Sequence, residues 1–419
     1  MRLQLRPRDA RTGIRLAFTL GAALTATAAF APRARATQDA QARVTFFREP
    51  STQNEGIKVI HPQIDAGTSL GPDFHLNVGY EVDIVSGATP AVFGVRPGSV
   101  DAVTQATHFS DTRHQFSGSL AYTRPSSSWS FGYSYGFEND YRSQSITGAA
   151  TTDLLDHNFT LGLSYTHNFD QVCDANNDNV GDQLLDLKAL AQSAHCFTSQ
   201  PDVSTQKLSI DTFQPSLSWT ATPKLLLQIG STVQILDGFQ SNPYRSVSLG
   251  TQNAQPQEHL PIYRQRYAVY LRGVYALPAV RGSGLMMARY YQDSWAVQAV
   301  TGEVQLNKYF GNELLLTLRG RYHLQGGASF YRTATQYEEL GPGGKYWTGD
   351  RELSPMSNYL TGGKLAWIKK PGQDRSSWYV EMEVSAKYEL LIYHLDSPDA
   401  PNADRTHAHI AQGAFSLRF

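Results

Sequence analysis

The sequence lacks any long apolar run beyond its first 36 residues. No stretch of about 18 or more apolar residues follows that point, which excludes a membrane-spanning helix there. The chain has only two cysteines and no C-x-x-C pair, which excludes a thioredoxin-like or c-type haem site. Its net charge is −1 and no basic stripe occurs, so no nucleic-acid partner is expected. A membrane role for this chain has to use strands.

The N-terminus has the three parts of a secretion signal. Five arginines lie within the first 15 residues, an apolar segment covers residues 16–31, and Ala34-Arg35-Ala36 forms a small-x-small cleavage site before Thr37. No cysteine lies near this site, so a lipid anchor is not expected. We predict a cleaved signal over residues 1–36 and one mature domain over residues 37–419.

Alternating ribbons make up most of the remaining chain. Phe74, Leu76 and Val78 alternate with polar residues, and the final stretch, 406–419, alternates in the same way and ends on Phe419. A strand repeats its facing every two residues, so each ribbon has one apolar side and one polar side. The ribbons match the length of about 9–11 residues that a tilted strand needs to cross a membrane.

Turn signals separate the ribbons by distances that alternate between short and long, as in outer-membrane barrels. We predict an all-β fold, a transmembrane antiparallel β-barrel of about 16 strands, with short periplasmic turns and long extracellular loops. Fourteen strands are the alternative, because strands 41–48 and 140–150 are the weakest assignments, and a soluble all-β protein shows similar alternation. The long connections lie near 87–111, 169–204, 240–262, 327–356 and 394–405.

Charged residues occupy the polar sides of several ribbons. Arginines collect on later strands and acids on the early and penultimate ones, so closing the barrel predicts a basic arc facing an acidic arc across the lumen. The alternative is that these charges pair with one another across a narrow or filled lumen. The predicted lumen residues are Arg264, Arg266, Arg272, Arg289, Arg319 and Arg321 on one side, and Glu381, Glu383, Glu389, Glu81 and Asp83 on the other.

One long loop, residues 341–358, combines turn formers with aromatic and charged residues. Such a composition indicates packing, either inward as a constriction of the pore or outward against neighbouring loops. The candidate constriction residues are Tyr346, Trp347, Asp350, Arg351 and Glu352.

A second long loop contains both cysteines. In an exported protein we expect Cys173 and Cys196 to form a disulfide. Between them, the oxygen-bearing residues Asp174, Asn176, Asp178 and Asp182 follow the start of a calcium loop. Asn179 replaces the turn glycine and Leu185 replaces the bidentate glutamate, so a solvated turn is the alternative to a weak Ca²⁺ site.

Two further motifs have little support from their context. Residues 67–71 match G-x-S-x-G, but a nucleophile elbow needs a strand-to-helix turn and this segment reads as a hairpin. His407 and His409 share one strand face, and such an isolated pair is usually incidental. No set of catalytic residues is visible, and the chain is not expected to be an enzyme.

Four stretches, at 138–143, 167–174, 235–245 and 346–355, read ENDYRS, HNFDQVCD, ILDGFQSNPYR and YWTGDRELSP. They resemble a proteobacterial family of outer-membrane barrels filed as a domain of unknown function. The resemblance covers nearly all of the mature chain and implies fold and location, without any catalytic or ligand residue. It also implies flavin-transfer and thioredoxin-like neighbours, and thus a redox partner in the envelope, although the chain has no flavin or haem motif.

These patterns favour a porin-like channel in the outer membrane of a Gram-negative cell, passive or weakly selective for small polar solutes. The alternative is a non-conducting scaffold or receptor barrel for an envelope partner, and a third hypothesis is a barrel hydrolase. The expected partners of any such barrel are outer-membrane lipid and the barrel-assembly machinery.

Overall fold

The computed structural model of the protein describes residues 38–50, 56–87, 109–174, 197, 204–243, 245, 247, 257–332, 346–370, 379–395 and 405–419. The predicted signal, residues 1–36, lies outside them. Within these ranges there is no helix long and apolar enough to cross a membrane.

The described chain consists almost entirely of strands, with two single-turn 3-10 helices at Pro278–Val280 and Arg351–Leu353. The strands are β1 Gln38–Glu49, β2 Ile57–Leu70, β3 Phe74–Gly87, β4 Phe109–Arg124, β5 Ser127–Phe137, β6 Tyr141–Leu154, β7 Phe159–Asp174, β8 Ser204–Thr222, β9 Leu225–Gly238, β10 Tyr263–Leu277, β11 Gly282–Asp293, β12 Gln298–Phe310, β13 Leu314–Gln325, β14 Met356–Lys369, β15 Glu381–Leu395 and β16 Arg405–Arg418.

These strands form one closed antiparallel barrel in which every strand pairs with its neighbours in sequence and β1 pairs with β16. The closing register runs from Asp39 opposite Arg418 to Arg48 opposite His409. Closure leaves no edge strand with unpaired backbone groups, which a strand sheet in lipid requires. The prediction of an all-β barrel of about sixteen strands is therefore confirmed, and the fourteen-strand alternative is wrong.

The two weakest strand assignments are both real strands. The first, predicted at 41–48, runs from Gln38 to Glu49, and the one predicted at 140–150 runs from Tyr141 to Leu154. The small and hydroxylated residues of β6 obscure its alternation, because Ser and Thr suit either face of a strand in a wet barrel. The length of β6 is set by pairing with β5 and β7 on both sides.

The apolar side of each ribbon faces outward. Trp129 and Phe131 on β5 are 49% and 62% exposed, and the ring of Tyr122 on β4 stacks beside Trp129 at 5.7 Å. The alternate positions on β5, such as Ser130 and Ser134, are on the opposite face and line the lumen. An apolar outer wall around a polar interior is the architecture of a transmembrane β-barrel.

The two ends of the barrel differ in their connections. At one end, successive strands are joined by turns of a few residues, such as 71–73, 125–126 and 311–313, and the first described residue, Gln38, bonds there to the last, Phe419. At the other end the connections are mostly longer, and they include 239–262 and 326–355. We call these the short-turn end and the long-loop end.

Apolar residues also face inward near the long-loop end. One cluster joins Phe47, Ile57, Leu360, Leu391 and Tyr393 from both sides of the closing seam, all of them buried. Elsewhere on the wall, β6–β9 contribute Tyr141, Val172, Leu208, Ile210 and Leu236. Burying such side chains stabilises a fold by about 1.5–3 kcal/mol each. The lumen lining thus changes from packed and apolar at the long-loop end to polar below it.

Candidate functional site in the lumen

All eleven predicted lumen charges occupy lumen-side positions. Strand register shows this, because the alternate residues on the same strands, such as Leu318 and Val384, are half-exposed apolar side chains on the outer wall. The positions are Glu81 and Asp83 on β3, Arg264, Arg266 and Arg272 on β10, Arg289 on β11, Arg319 and Arg321 on β13, and Glu381, Glu383 and Glu389 on β15.

Strands β10–β13 form a basic sector of the lumen wall. Their lumen side holds six arginines against two carboxylates, Asp293 and Glu303, a surplus of four positive charges. Arg264 and Arg319 form ion pairs with those two carboxylates. Arg264 bonds to Asp293 and lies 4.1 Å over the Trp295 ring, and Arg319 Nη2 donates to Glu303 Oε2 at 2.7 Å.

The strands on either side of the closing seam, β14–β16 and β1–β3, form an acidic sector. Their lumen side carries eight carboxylates against four lysines and arginines, a surplus of four negative charges. Each of the three β15 glutamates contacts a cation: Glu381 lies 3.1 Å from Lys370, Glu383 lies 2.7 Å from Lys364, and Glu389 lies 3.1 Å from Lys387.

The two sectors are placed around the ring partly as the sequence predicts. Glu81 and Asp83, which both lie beside His61, are on β3, eight strands from Arg289 on β11 in the ring of sixteen. The β15 glutamates are different, because β15 is only two strands from β13. Arg319 Nη1 donates to Glu389 Oε1 at 3.1 Å, so this pair is in direct contact rather than across the lumen.

Residues 346–355, which we call the strap, cross the long-loop end on the lumen side. Arg351 donates from Nη1 and Nη2 to the two carboxylate oxygens of Glu49, at 2.9 and 3.3 Å, and its guanidinium lies 4.5 Å over the Tyr393 ring. Thr406 also donates to Glu49 at 2.7 Å. The strap is therefore attached to the end of β1 by a buried, bidentate ion pair and to β15 by a cation–π contact.

The next residue back, Asp350, is bound to the opposite side of the ring. It lies 3.0 Å from Arg245, in the loop between β9 and β10, and Arg245 donates to Glu258 at 2.6 Å. Thr348 donates to the same Glu258 oxygen at 2.8 Å. Burial raises the pKa of the Glu258 carboxyl, and this effect outweighs the opposite effect of the neighbouring Arg245 guanidinium.

These contacts show how the predicted constriction residues are arranged. β1 and β9 are eight strands apart in a ring of sixteen, so the β9–β10 loop reaches across the mouth to Asp350, whose neighbour Arg351 is bound to β1. The indole of Trp347 is buried and donates to the Gln257 carbonyl at 2.9 Å, and Tyr346 packs beside His259. The Glu352 carbonyl accepts from Gln325 on β13 at 2.6 Å. The strap and the β9–β10 loop together cover part of the mouth.

Sequence reasoning missed the partners of the strap. Glu49 and Glu258 carry no local signal, because each is one glutamate beside a turn or a strand end. Arg245 closes the stretch at 235–245 that marks the family resemblance, and its buried contacts with Glu258 and Asp350 give that stretch a structural reason.

The predicted cysteine and calcium sites lie mostly outside the described residues. Cys173 is buried at the end of β7, whereas Cys196 is not described, and the disulfide stays a prediction. Asp174 is described, but Asn176, Asp178 and Asp182 are not. Within the described ranges, no group of three or more potential ligands surrounds a metal position. The rings of His407 and His409 lie 5.1 Å apart, and His409 is bonded to Tyr388.

The hairpin containing G-x-S-x-G brings together Ser69, His75 and Asp39 at the short-turn end. His75 Nε2 lies 3.2 Å from Asp39, and His75 Nδ1 lies 3.5 Å from Ser69 Oγ. Gly67 leaves room for the pair, since a Cβ there would lie 2.5 Å from His75. The Ser–His separation is longer than the roughly 2.6–3.2 Å that general-base activation of a nucleophile needs. We assign no reaction to this group.

The fold and the lumen define a transmembrane β-barrel with a charged wall and with two loops packed on each other at one end. The chain belongs to the family described as a protein of unknown function (DUF3570), whose match covers residues 16–374. No curated protein matches the chain.

Several solved structures are similar to it. A bacterial polysaccharide outer membrane secretin is 8% identical, with a TM-score of 0.47 over 91% of this chain and 98% of that chain. The siderophore receptor PirA from Acinetobacter baumannii is 8% identical, with a TM-score of 0.45 over 85% of this chain and 53% of its own. OccK2 (OpdF) from Pseudomonas aeruginosa, in complex with glucuronate, is 10% identical, with a TM-score of 0.41 over 92% and 98%.

Proposed function

We propose that this barrel is a channel of the Gram-negative outer membrane for small polar solutes, with an opening narrowed by the strap. The observation that carries the proposal is the exposure of Arg272 and Arg289, which face the lumen and yet remain exposed. Lumen-facing side chains are exposed only where the interior has room for water. A closed barrel of about sixteen strands is wide enough for that.

The strap sets the size limit of the channel. It is bound to β1 through Arg351–Glu49 and to the β9–β10 loop through Asp350–Arg245, and both arginines are buried. Solutes then pass beside the strap, through the part of the mouth that the two loops leave uncovered, and meet the polar wall below.

Planar-bilayer conductance of purified protein tests the proposal. We expect ohmic steps, and we expect Arg351→Met, which frees one end of the strap, to give larger steps. A matched control is Arg48→Met, an exposed arginine on the outer wall of β1, which should leave step size unchanged. Complete absence of steps from folded wild-type and Arg351→Met barrels would contradict a channel.

The second candidate is a non-conducting scaffold or receptor for an envelope partner, and the buried strap itself favours it. Arg245, Glu258 and Thr348 are all buried where the two loops meet, which gives the mouth a rigid surface. Crosslinking in intact cells, followed by recovery of one stoichiometric partner from a barrel that gives no conductance, would support the scaffold over the channel.

Both candidates place the barrel in outer-membrane lipid, delivered by an N-terminal signal and inserted by the barrel-assembly machinery. The apolar outer wall supports the lipid contact. Neither candidate includes a catalytic step or a cofactor, and calcium at the Asp174 loop stays a separate hypothesis.

A further inference from the structure

The basic sector contains four arginines that contact no carboxylate among the described residues: Arg266, Arg272, Arg289 and Arg321. Arg266 donates only to the neutral Gln234, at 3.0 Å. The Nε atoms of Arg266 and Arg321 are buried without a hydrogen-bond partner. The other two arginines of the sector, Arg264 and Arg319, already hold its two carboxylates.

Strands β11, β12 and β13 place Arg289 and Arg321 near one another on the lumen wall, two residues apart along the strand direction. Arg289 on β11 is in register with Thr301 on β12, which is in register with His323 on β13. Thr301 Oγ1 lies 2.8 Å from His323 Nδ1. Arg321 is two residues from His323 on the same side, and two strand spacings of about 4.8 Å separate β11 from β13. Both guanidinium groups lie within electrostatic range of the His323 ring.

The acidic sector leaves this positive charge uncompensated. Its β15 glutamates, the ones nearest to the basic sector, already contact Lys370, Lys364 and Lys387, and Arg319 takes a second contact with Glu389. The carboxylates of β3 are on the far wall. Like charges held together on a wall repel one another unless an anion lies between them.

We propose that the basic sector binds the carboxylate or phosphate group of small anionic solutes, with Arg289 and Arg321 as its main contacts. A guanidinium presents a planar fork of donors that matches both groups. The exposure of Arg272 and Arg289 lets a solute in the lumen reach the site. The inference deepens the proposed channel, since it makes anions the preferred class of solute.

Isothermal titration of the detergent-solubilised barrel with inorganic phosphate, and separately with succinate, tests the site. We expect the wild type to bind both anions and Arg289→Gln with Arg321→Gln to bind at least about tenfold more weakly. The matched control is Arg48→Gln with Lys58→Gln, which removes the same charge from exposed, cross-strand neighbours on the outer wall. Arg272→Gln with Arg289→Gln is the second variant, because both side chains are exposed and their loss should weaken anion binding without unfolding the barrel.

A wild-type barrel that binds neither anion would overturn the site. An Arg289→Gln, Arg321→Gln variant that binds the anions as tightly as the wild type would overturn it too. Bilayer measurements separate this failure from failure of the channel. Phosphate binding that needs Arg289 and Arg321, in a barrel that gives no conductance, supports the site and overturns the channel. Conductance without anion preference in a KCl gradient, together with no phosphate binding, overturns the site and supports the channel.

Discussion

The basic and acidic sectors carry surplus charges of equal size and opposite sign, but they hold their charges differently. In the acidic sector the β15 glutamates have lysine or arginine partners, and Glu49 has Arg351. In the basic sector Arg266, Arg272, Arg289 and Arg321 have no carboxylate partner among the described residues. Net charge alone therefore does not describe a lumen wall, because a paired charge contributes little field and an unpaired one attracts solutes.

The largest expected effect concerns Arg351, the cation that the strap supplies to the acidic sector. Arg351→Met should destabilise the barrel by about 3–5 kcal/mol, because it leaves the buried Glu49 carboxylate without its partner. Urea unfolding in lipid vesicles measures the effect. The double variant with Glu49→Gln should recover most of the loss. Equal urea midpoints for the wild type and Arg351→Met would show that Glu49 is solvated. The two sectors would then differ less in how far their charges are paired.

A second test checks that the charged residues of both sectors lie on the lumen side of the strands. Val304, which is 52% exposed on the outer wall of β12, should tolerate lysine poorly, at a cost of about 2–4 kcal/mol near the membrane midplane. Its neighbour Gln305 lines the basic sector, and Gln305→Lys should change the free energy of unfolding by no more than about 1 kcal/mol. Similar losses for both variants in the same unfolding assay would reject the assignment of faces.

Reversing the basic sector should change ion preference. In water, one unit charge on the wall changes the electrostatic energy of a monovalent ion about 7 Å away by about 0.6 kcal/mol before salt screening. Arg289→Glu with Arg321→Glu should therefore shift the anion-to-cation permeability ratio by about tenfold towards cations. Reversal potentials in a KCl gradient measure the ratio, and an unchanged ratio would mean that permeating ions do not pass the basic sector.

The smallest effect is expected on β15 of the acidic sector, where each glutamate contacts a lysine. Glu383→Gln should raise the anion preference by only about twofold, because it changes the lumen charge by one unit, against four for the double reversal, and salt screens the Lys364 ammonium that it leaves behind. Lys364→Gln should shift the preference by a similar amount in the opposite direction. A tenfold change from either substitution would show that this pair is not formed in the membrane, and it would weaken the contrast between the sectors.

The facing of individual side chains was predictable because it depends on a local period of two. Arg289 and Glu383 could be placed on the lumen side from their immediate neighbours alone. The contact between Arg319 and Glu389 was harder, since it depends on how far β13 and β15 are offset along the wall. The arrangement of Ser69, His75 and Asp39 needed both the β2–β3 hairpin and the pairing of β1 with β2.

The sequence by itself determined that this chain is a ring of membrane-length strands, which side chains face lipid, and at which end of the barrel most of the long connections lie. These properties follow from alternation and turn chemistry within a few residues of chain. The tertiary structure alone decided that Glu49 and Arg351 meet, that Asp350 contacts Arg245 of the β9–β10 loop, and which lumen arginines have no carboxylate partner among the described residues. Such contacts join residues far apart in the chain, and only closure of the barrel fixes the distances between them.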